Sequence, residues 1–143
     1  YNKARELAPD DPVLNLQLAL LLQKFSHLAG ALQCLETVKS GGGPLAPLAH
    51  LYEGRIHESA DEYALALRSY RKAMADSDLL KPLGHVHLAQ LALRAGRSDV
   101  AQAQLARAHR LGFKDWRSLT GRKIFRELTA SDTYRRFLQR LGR

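Results

Sequence analysis

Apolar side chains recur along this chain with the spacing of one helix face. Three segments, "AGALQCLETVK", "ALALRSYRKAM" and "DVAQAQLARAH", each carry an apolar residue at offsets 0, 4 and 7. These offsets lie on one side of an α-helix, and small residues among them let a neighbouring helix approach closely. The pattern therefore predicts the same helix three times, with starts 35 residues apart. The three sets are Ala31-Leu35-Val38, Ala66-Tyr70-Ala73 and Ala101-Leu105-Ala108.

A second apolar helix precedes each of these stripes. The segments "VLNLQLALLLQ" and "GHVHLAQLALRAG" have helical spacing, and the second ends at Gly96, a residue type that often follows the last turn of a helix. Prolines stand where these helices would begin, at positions 12, 44, 47 and 82, and proline is tolerated in a first turn. No segment alternates with a period of two, so we expect helix pairs and no strands.

These residues resemble the tetratricopeptide repeat (TPR) family. The resemblance covers roughly residues 1–112, and the matching positions are Leu18-Ala19-Leu22 with Ala31-Leu35-Val38, then Leu88-Ala89-Ala92 and Gly96 with Ala101-Leu105-Ala108. It implies an all-α fold: a right-handed superhelical solenoid of antiparallel helix pairs with a C-terminal helical cap. The opening Tyr1, Ala4 and Pro9 match the end of a preceding second helix. We therefore expect a C-terminal fragment of a longer array, with Arg143 at or near the natural end.

The expected organisation is three repeats between two partial segments. Residues 1–11 end a truncated repeat, residues 12–43, 44–77 and 78–112 form TPR-like repeats, and residues 113–143 form a basic helical cap. Apolar residues in the cap are spaced to seal the last repeat and to build a final helix that Ser131 or Asp132 starts. The sealing set is Phe113, Trp116, Leu119, Phe125 and Leu128, and the helix set is Tyr134, Phe137, Leu138 and Leu141.

The middle repeat departs from the family pattern. A strict period from Ala66 would put Glu53, Gly54 and His57 where a leucine, a glycine and an aromatic residue belong. Burying an unpaired carboxylate costs several kcal/mol, whereas rolling a helix about its axis costs little. We therefore expect this helix to be rolled onto another apolar stripe, with one extra residue in the turn "HESADE". That stripe is Leu45, Leu48, Ala49, Tyr52 and Ile56.

Positive charge is concentrated at the C-terminal end. Residues 1–106 contain 11 Lys and Arg against 11 Asp and Glu, whereas residues 107–143 contain 11 against 3 and so carry the whole net charge of +8. Such an excess favours an anionic partner, although a solvated helical surface has the same composition. The basic patch is Arg107, Arg110, Arg117, Arg122, Lys123, Arg126, Arg135, Arg136 and Arg140.

Nothing in the sequence has the spacing of a catalytic or cofactor site. The six histidines include no His-x3-His pair, and "SGGGP" lacks the Gly-Lys-Ser/Thr that a phosphate loop requires. The single cysteine, Cys34, excludes an internal disulfide. No apolar run approaches the length of a membrane span. We therefore expect a protein that is not an enzyme and uses no cofactor or metal; its compartment, cytoplasm or periplasm, stays open.

The TPR resemblance implies a concave groove lined by the first helix of each repeat. Its expected lining is Val13, Leu16, Leu20, Lys24, His50, Gly54, His57, Leu83, Val86, Gln90 and Arg94. TPR domains that hold the C-terminal carboxylates of chaperones place Lys and Asn where Leu16, Leu20 and Val86 stand here, so that ligand is not expected. The groove would instead take a peptide or helix of a partner protein, unless packing within the repeats fills it.

Two other functions stay open at this stage. The first is binding of a polyanion, such as a nucleic acid, or of an anionic surface through the basic patch. The second is an accessory role in a bacterial secretion or polysaccharide-export complex, because the Ala-, Leu- and Arg-rich composition favours a bacterial source.

Overall fold

The computed structural model describes residues 11–115 and, beyond them, residues 122, 125, 135, 136, 139 and 140. Within residues 11–115 the chain is all-α, with six α-helices, one short 3-10 turn and no strand, as the sequence predicts. The helices are α1 (Pro12–Lys24), α2 (Leu28–Ser40), α3 (Ala46–Ser59), α4 (Tyr63–Asp76), α5 (Lys81–Arg94) and α6 (Ser98–Arg110), and the 3-10 turn is Asp78–Leu80. The expected helix end in residues 1–10 lies outside the described residues.

The three helix pairs follow one another at a period of 35 residues. The first helices end at Lys24, Ser59 and Arg94, and the second helices begin at Leu28, Tyr63 and Ser98. Each connecting turn has one residue with positive φ, at Ser26, Asp61 and Gly96. The next backbone N–H donates to a carbonyl of the last helical turn, from His27 to Leu22, from Glu62 to His57 and from Arg97 to Ala92, at 2.7–2.9 Å. This is the Schellman arrangement, which satisfies the last carbonyls of a helix.

The strict period corrects our expectation for the middle pair: the turn "HESADE" contains no extra residue. That expectation was wrong because Glu53 is not buried unpaired. Its carboxylate accepts hydrogen bonds from the Lys39 ammonium and, at 2.9 Å, from the Ser69 hydroxyl. The partners lie on α2 and α4, so they are invisible in the pattern of α3 itself.

The described chain divides into two compact units, one ending at Leu80 and the other beginning at Lys81. In the first unit, α1, α2 and α3 share one apolar core. It contains Leu16, Leu18, Ala19, Ala31, Cys34, Leu35, Val38, Ala49 and Ile56, with Leu45, Leu48 and Tyr52 packed against it. The apolar stripe predicted for α3 is therefore real, and it faces this core while the opposite side of α3 packs on α4.

The contact between α3 and α4 is close because position 54 has no side chain. A Cβ atom on Gly54 would lie 2.5 Å from Cε1 of the Tyr70 ring. The Tyr70 hydroxyl donates to the buried Glu58 carboxylate at 2.9 Å. At the positions equivalent to Gly54 the other pairs have Ala19 and Ala89, and they have leucine in place of Tyr70. The large tyrosine and the glycine are therefore complementary in volume.

The second unit has its own core, formed by α5, α6 and a residue of the C-terminal segment. It contains Val86, Ala89, Ala92, Ala101, Leu105, Ala108 and Phe125, with Phe113 packed against it. The prediction that Phe113 and Phe125 seal the last pair is confirmed for these two residues. Trp116, Leu119 and Leu128, and the predicted final helix through Tyr134, Phe137, Leu138 and Leu141 with its caps Ser131 and Asp132, lie outside the described residues.

The nine residues of the three predicted helical stripes are all buried, each exposing at most 1% of its surface.

In the part of the chain that the structure describes, no helix has the length and apolarity that crossing a bilayer requires.

Candidate interaction surface

One side of α1 faces solvent along its whole length. Val13, Gln17, Leu20 and Lys24, at offsets 0, 4, 7 and 11, are all exposed, with Val13 at 52% and Leu20 at 37%. The Asp11 carboxylate caps the N-terminus of this helix. It accepts hydrogen bonds from the backbone N–H groups of Val13 and Leu14, at 2.9 and 3.2 Å. Asn15, Leu16, Leu18 and Ala19 are buried on the other side, so the cap and the core together fix which residues of α1 reach solvent.

The equivalent side of α3 is given by adding 35 to those positions, and it consists of Leu48, Tyr52, Arg55 and Ser59. Arg55 and Ser59 are exposed, and Leu48 and Tyr52 are partly buried. The Arg55 guanidinium lies 5.6 Å from the centroid of the Tyr52 ring, within the range of a cation–π contact. Because α1 and α3 belong to one unit and contact each other, we call these eight residues the first-helix surface.

The residues predicted to line the groove in the middle repeat lie elsewhere. Gly54 is buried against Tyr70. His50 is largely buried, with its Nδ1 atom 3.9 Å from the Glu53 carboxylate. His57 lies 3.3 Å from the Glu62 carboxylate at the turn before α4. None of these three residues lies at the α3 positions of the first-helix surface, which follow from the strict 35-residue period.

Leu16 and Val86, two further predicted lining residues, belong to the cores. Leu16 is 9% exposed and Val86 is fully buried, and the residue equivalent to both, Leu51, is 2% exposed. For these positions, therefore, packing within the helix pairs fills the expected groove. Val13, Leu20 and Lys24 are the predicted lining residues of the first unit that stay exposed.

In the second unit, the predicted lining residues have mixed exposure. Leu83 and Gln90 are partly buried and Arg94 is exposed. The side-chain carbonyl of Gln90 accepts a hydrogen bond from the Arg122 guanidinium at 3.0 Å. A residue predicted for the groove, Gln90 on α5, and one predicted for the basic patch, Arg122, are thus hydrogen-bonded to each other.

Leu21 and Phe25 are also exposed, at 51% and 64%, but they lie outside the first-helix surface. The residues equivalent to Leu21 are Ile56 and Leu91, and both are buried, at 2% and 7%. Ile56 belongs to the core that α3 shares with α1 and α2. Leu21 lies on the equivalent side of α1, and within the described residues no helix precedes α1 to cover that side.

Glu53 is the centre of a polar cluster that sequence reasoning missed. Lys39 pairs with it and also with Glu36, at 2.8 Å. Burial lowers the pKa of Lys39, but the hydrogen bonds to the two carboxylates outweigh it, and the pKa is raised. Burial raises the pKa of Glu53, but the hydrogen bonds from Lys39 and Ser69 outweigh it, and the pKa is lowered. The cluster therefore holds both charges and joins α2, α3 and α4.

His50 borders this cluster and is biased towards its neutral form. Burial lowers the pKa of His50; the negative Glu53 opposes this effect and the positive Lys39 reinforces it. Lys72 and Asp76 of α4 are the more distant charges that act on it.

The basic patch is only partly described. Arg107 and Arg110 are exposed in the last turn of α6, where positive side chains are favoured by the helix dipole. Arg135, Arg136 and Arg140 are exposed as well. Arg122 is engaged with Gln90, and Arg117, Lys123 and Arg126 lie outside the described residues.

Among the described residues, no three His, Cys, Asp or Glu side chains come together in a way that could hold a metal ion. His85 instead bonds to Gln104 at 2.7 Å and links α5 to α6.

Comparisons of this chain with protein-family models, with curated proteins and with solved structures found no match. The assignment of function therefore depends on the sequence pattern and on the first-helix surface.

Proposed function

We propose that this chain is a non-catalytic scaffold for protein–protein interaction, a TPR-like solenoid that binds a peptide or helix of a partner within a larger assembly. Support comes from the 35-residue period of the three helix pairs and from the repeated Schellman turn. A chain built from equivalent pairs presents equivalent side chains from each pair, and such series suit extended partners.

The observation that carries the proposal is the first-helix surface. Leu20 exposes 37% of an apolar side chain on α1, next to Lys24, and the equivalent side of α3 adds Tyr52 and Arg55. Mixed apolar and cationic contacts are typical of peptide recognition, in which aromatic and arginine side chains contribute strongly.

The test is recovery of partners from a lysate of the source cells with the intact protein and with Leu20→Asp. A charge at an exposed site leaves the core untouched, but it replaces the apolar contact of Leu20 with a carboxylate within reach of the Lys24 ammonium, so both the apolar anchor and the cation are lost to a partner. We expect Leu20→Asp to lose partners that the unaltered protein retains. Leu65→Asp is the matched control, because Leu65 is 41% exposed on α4. Retention of every partner by Leu20→Asp would contradict the proposal.

Val86→Asp is unsuitable for this test although Val86 is a predicted groove residue. Its side chain is fully buried in the core of the second unit, so a carboxylate there would unfold the unit rather than probe a surface.

A second candidate function is binding of a polyanion by the basic patch. The exposed Arg107 and Arg110 at the end of α6, together with the charge excess of residues 107–143, favour it. Affinity for a polyanion falls steeply as salt is raised, because binding releases condensed counterions. Titration with single-stranded DNA at two salt concentrations separates the candidates: tight, salt-sensitive binding that Arg107→Glu/Arg110→Glu abolishes would favour this second function.

A further inference from the structure

We propose that the first-helix surface recognises an acidic amphipathic segment of a partner protein, whose apolar side chains meet Leu20 and whose carboxylates meet Lys24 and Arg55. The inference rests on the proposed scaffold function and adds the chemistry of the partner to it. It is carried by the distribution of carboxylates in the first unit.

The exposed sides of α1 and α3 carry positive charge and no negative charge. Helix α1 contains Lys24 and no acidic residue. Helix α3 contains two, but Glu58 is 2% exposed and Glu53 is paired with Lys39 against α2. The other carboxylates described in this unit lie on the second helices, at the helix starts or in the turns. They are Asp11, Glu36, Asp61, Glu62, Asp76 and Asp78.

The two cations of this surface have no carboxylate of their own. Among the ion pairs of the described residues none includes Lys24 or Arg55, whereas Lys39 and Lys72 both pair with acidic neighbours. The contact with the Tyr52 ring holds the Arg55 guanidinium in place. A cation that is oriented but unpaired is suited to donate a charge-assisted hydrogen bond to a ligand carboxylate.

An apolar side chain lies beside each cation, and the exposed one, Leu20, selects an amphipathic ligand. Leu20 is one helical turn before Lys24 on the same side of α1, so their side chains are neighbours. On α3, the aromatic ring of Tyr52 and the guanidinium of Arg55 form a second pair of an apolar group and a positive charge. A ligand that matches both features has apolar residues on one stripe and carboxylates beside it.

A nucleic acid fits this surface less well. Binding to phosphates through charge needs several cations in a row, and bases stack on open aromatic faces. Here two cations are present, and the face of the Tyr52 ring is already taken by Arg55. The observations therefore favour an acidic protein segment.

Two designed helical peptides of about 14 residues, close to four turns, test the inference. Both carry the same leucine stripe; one has glutamates and the other lysines beside it. Fluorescence anisotropy with the intact chain is expected to show at least about tenfold tighter binding of the glutamate peptide, because like charges oppose the other. In Lys24→Glu/Arg55→Glu the preference should reverse.

Arg68→Glu/Arg71→Glu is the matched control, since it makes the same charge change at exposed positions of α4. It should leave the preference for the glutamate peptide unchanged. Circular dichroism of each variant confirms that the helices are intact.

The outcomes separate this inference from the proposed function. If Leu20→Asp abolishes binding of both peptides while Lys24→Glu/Arg55→Glu leaves the preference unchanged, the scaffold function stands and the acidic partner is refuted. If Leu20→Asp and the double variant both bind like the unaltered chain, both proposals fail. Tighter binding of single-stranded DNA than of the glutamate peptide, lost in Lys24→Glu/Arg55→Glu, would replace the acidic segment with a nucleic acid.

Discussion

At the scale of single residues, the three turns between paired helices share a left-handed backbone but not the residue that suits it best. Ser26 has φ of 63° and Asp61 has φ of 61°, whereas the third turn has Gly96 at 75°. A Cβ atom in this conformation costs roughly 1–2 kcal/mol. Replacing the residue with glycine removes this cost. Part of the gain in stability is offset, because glycine has more conformational freedom in the unfolded chain.

We therefore expect Ser26→Gly to raise the free energy of unfolding by about 1 kcal/mol, and Gly96→Ala to lower it by about the same amount. Urea titrations followed by circular dichroism measure both. Equal destabilisation by the two substitutions would show that the turn at Ser26 does not have the described geometry.

The pairing of Gly54 with Tyr70 gives a second prediction at this scale. Gly54→Ala places a methyl group 2.5 Å from the ring, and we expect a loss of about 1–3 kcal/mol from overpacking. In a Tyr70→Leu background, which has the residue of the equivalent positions Leu35 and Leu105, the same change should cost far less.

A double-mutant cycle in thermal or urea unfolding measures this coupling between the two positions. Additive effects of Gly54→Ala and Tyr70→Leu would contradict the contact. Tyr70→Leu also removes a donor from the buried Glu58, so that variant is destabilised by itself, and the cycle subtracts this cost.

At the scale of elements, the Lys39–Glu53 pair fixes how α3 lies against α2 and α4. Lys39→Met leaves a largely buried carboxylate without its cation, and we expect a loss of about 1–3 kcal/mol. Adding Glu53→Leu should restore most of it, since the positions 35 residues later hold Met74 and Leu88. Urea unfolding of the single and double variants provides the measurement. Failure of the second substitution to restore any stability would contradict this account of the pair.

The same pair predicts a pH dependence. The pKa of Glu53 is lower in the folded state, so its contribution is present above the ordinary carboxyl pKa and is lost as the pH falls through the folded pKa. The pKa of His50 is also lowered in the folded state. The unfolded state therefore binds this proton more tightly, and the free energy of unfolding begins to fall as the pH drops below the ordinary histidine pKa, about 6.5.

Unfolding free energies measured from pH 7 to pH 3 should therefore fall in two stages in the unaltered chain. The lower stage, below about pH 4, should be reduced in Lys39→Met/Glu53→Leu. An unchanged lower stage in that variant would assign the acid loss to other carboxylates.

The elements also show what the sequence can and cannot predict. The period of small and large apolar residues predicted α2, α4 and α6, because those helices are buried along one stripe. For α3 the local pattern pointed to an extra turn residue, because the partner of Glu53 is Lys39, on another helix. The 35-residue period already contained the right register, and Gly54, which falls at the position of Ala19 and Ala89, was a signal that could have identified it.

At the scale of the whole molecule, the second unit depends on a residue outside its helix pair. Phe125 is fully buried among Val86, Leu105 and the alanines of α5 and α6. Phe125→Ala should cost about 3–5 kcal/mol in that unit. Hydrogen exchange should then accelerate in α5 and α6 far more than in α1 to α3. A uniform acceleration across all six helices would contradict this assignment.

The surface of the molecule was predicted less well than its cores. Burial follows from apolar spacing, and the predicted stripes are buried as expected. The predicted groove included Leu16 and Val86, which the cores absorb, because spacing alone does not tell an apolar residue that faces a partner from one that faces the next helix. Arg55 was missed because the register of α3 was misplaced.

Binding at the first-helix surface is tested most directly by backbone amide chemical shifts during titration with the glutamate-bearing peptide. The account predicts that the largest changes lie on the outer sides of α1 and α3, around Leu20, Lys24 and Arg55. Changes centred on α4, or on Arg107 and Arg110 at the end of α6, with none on α1, would contradict it.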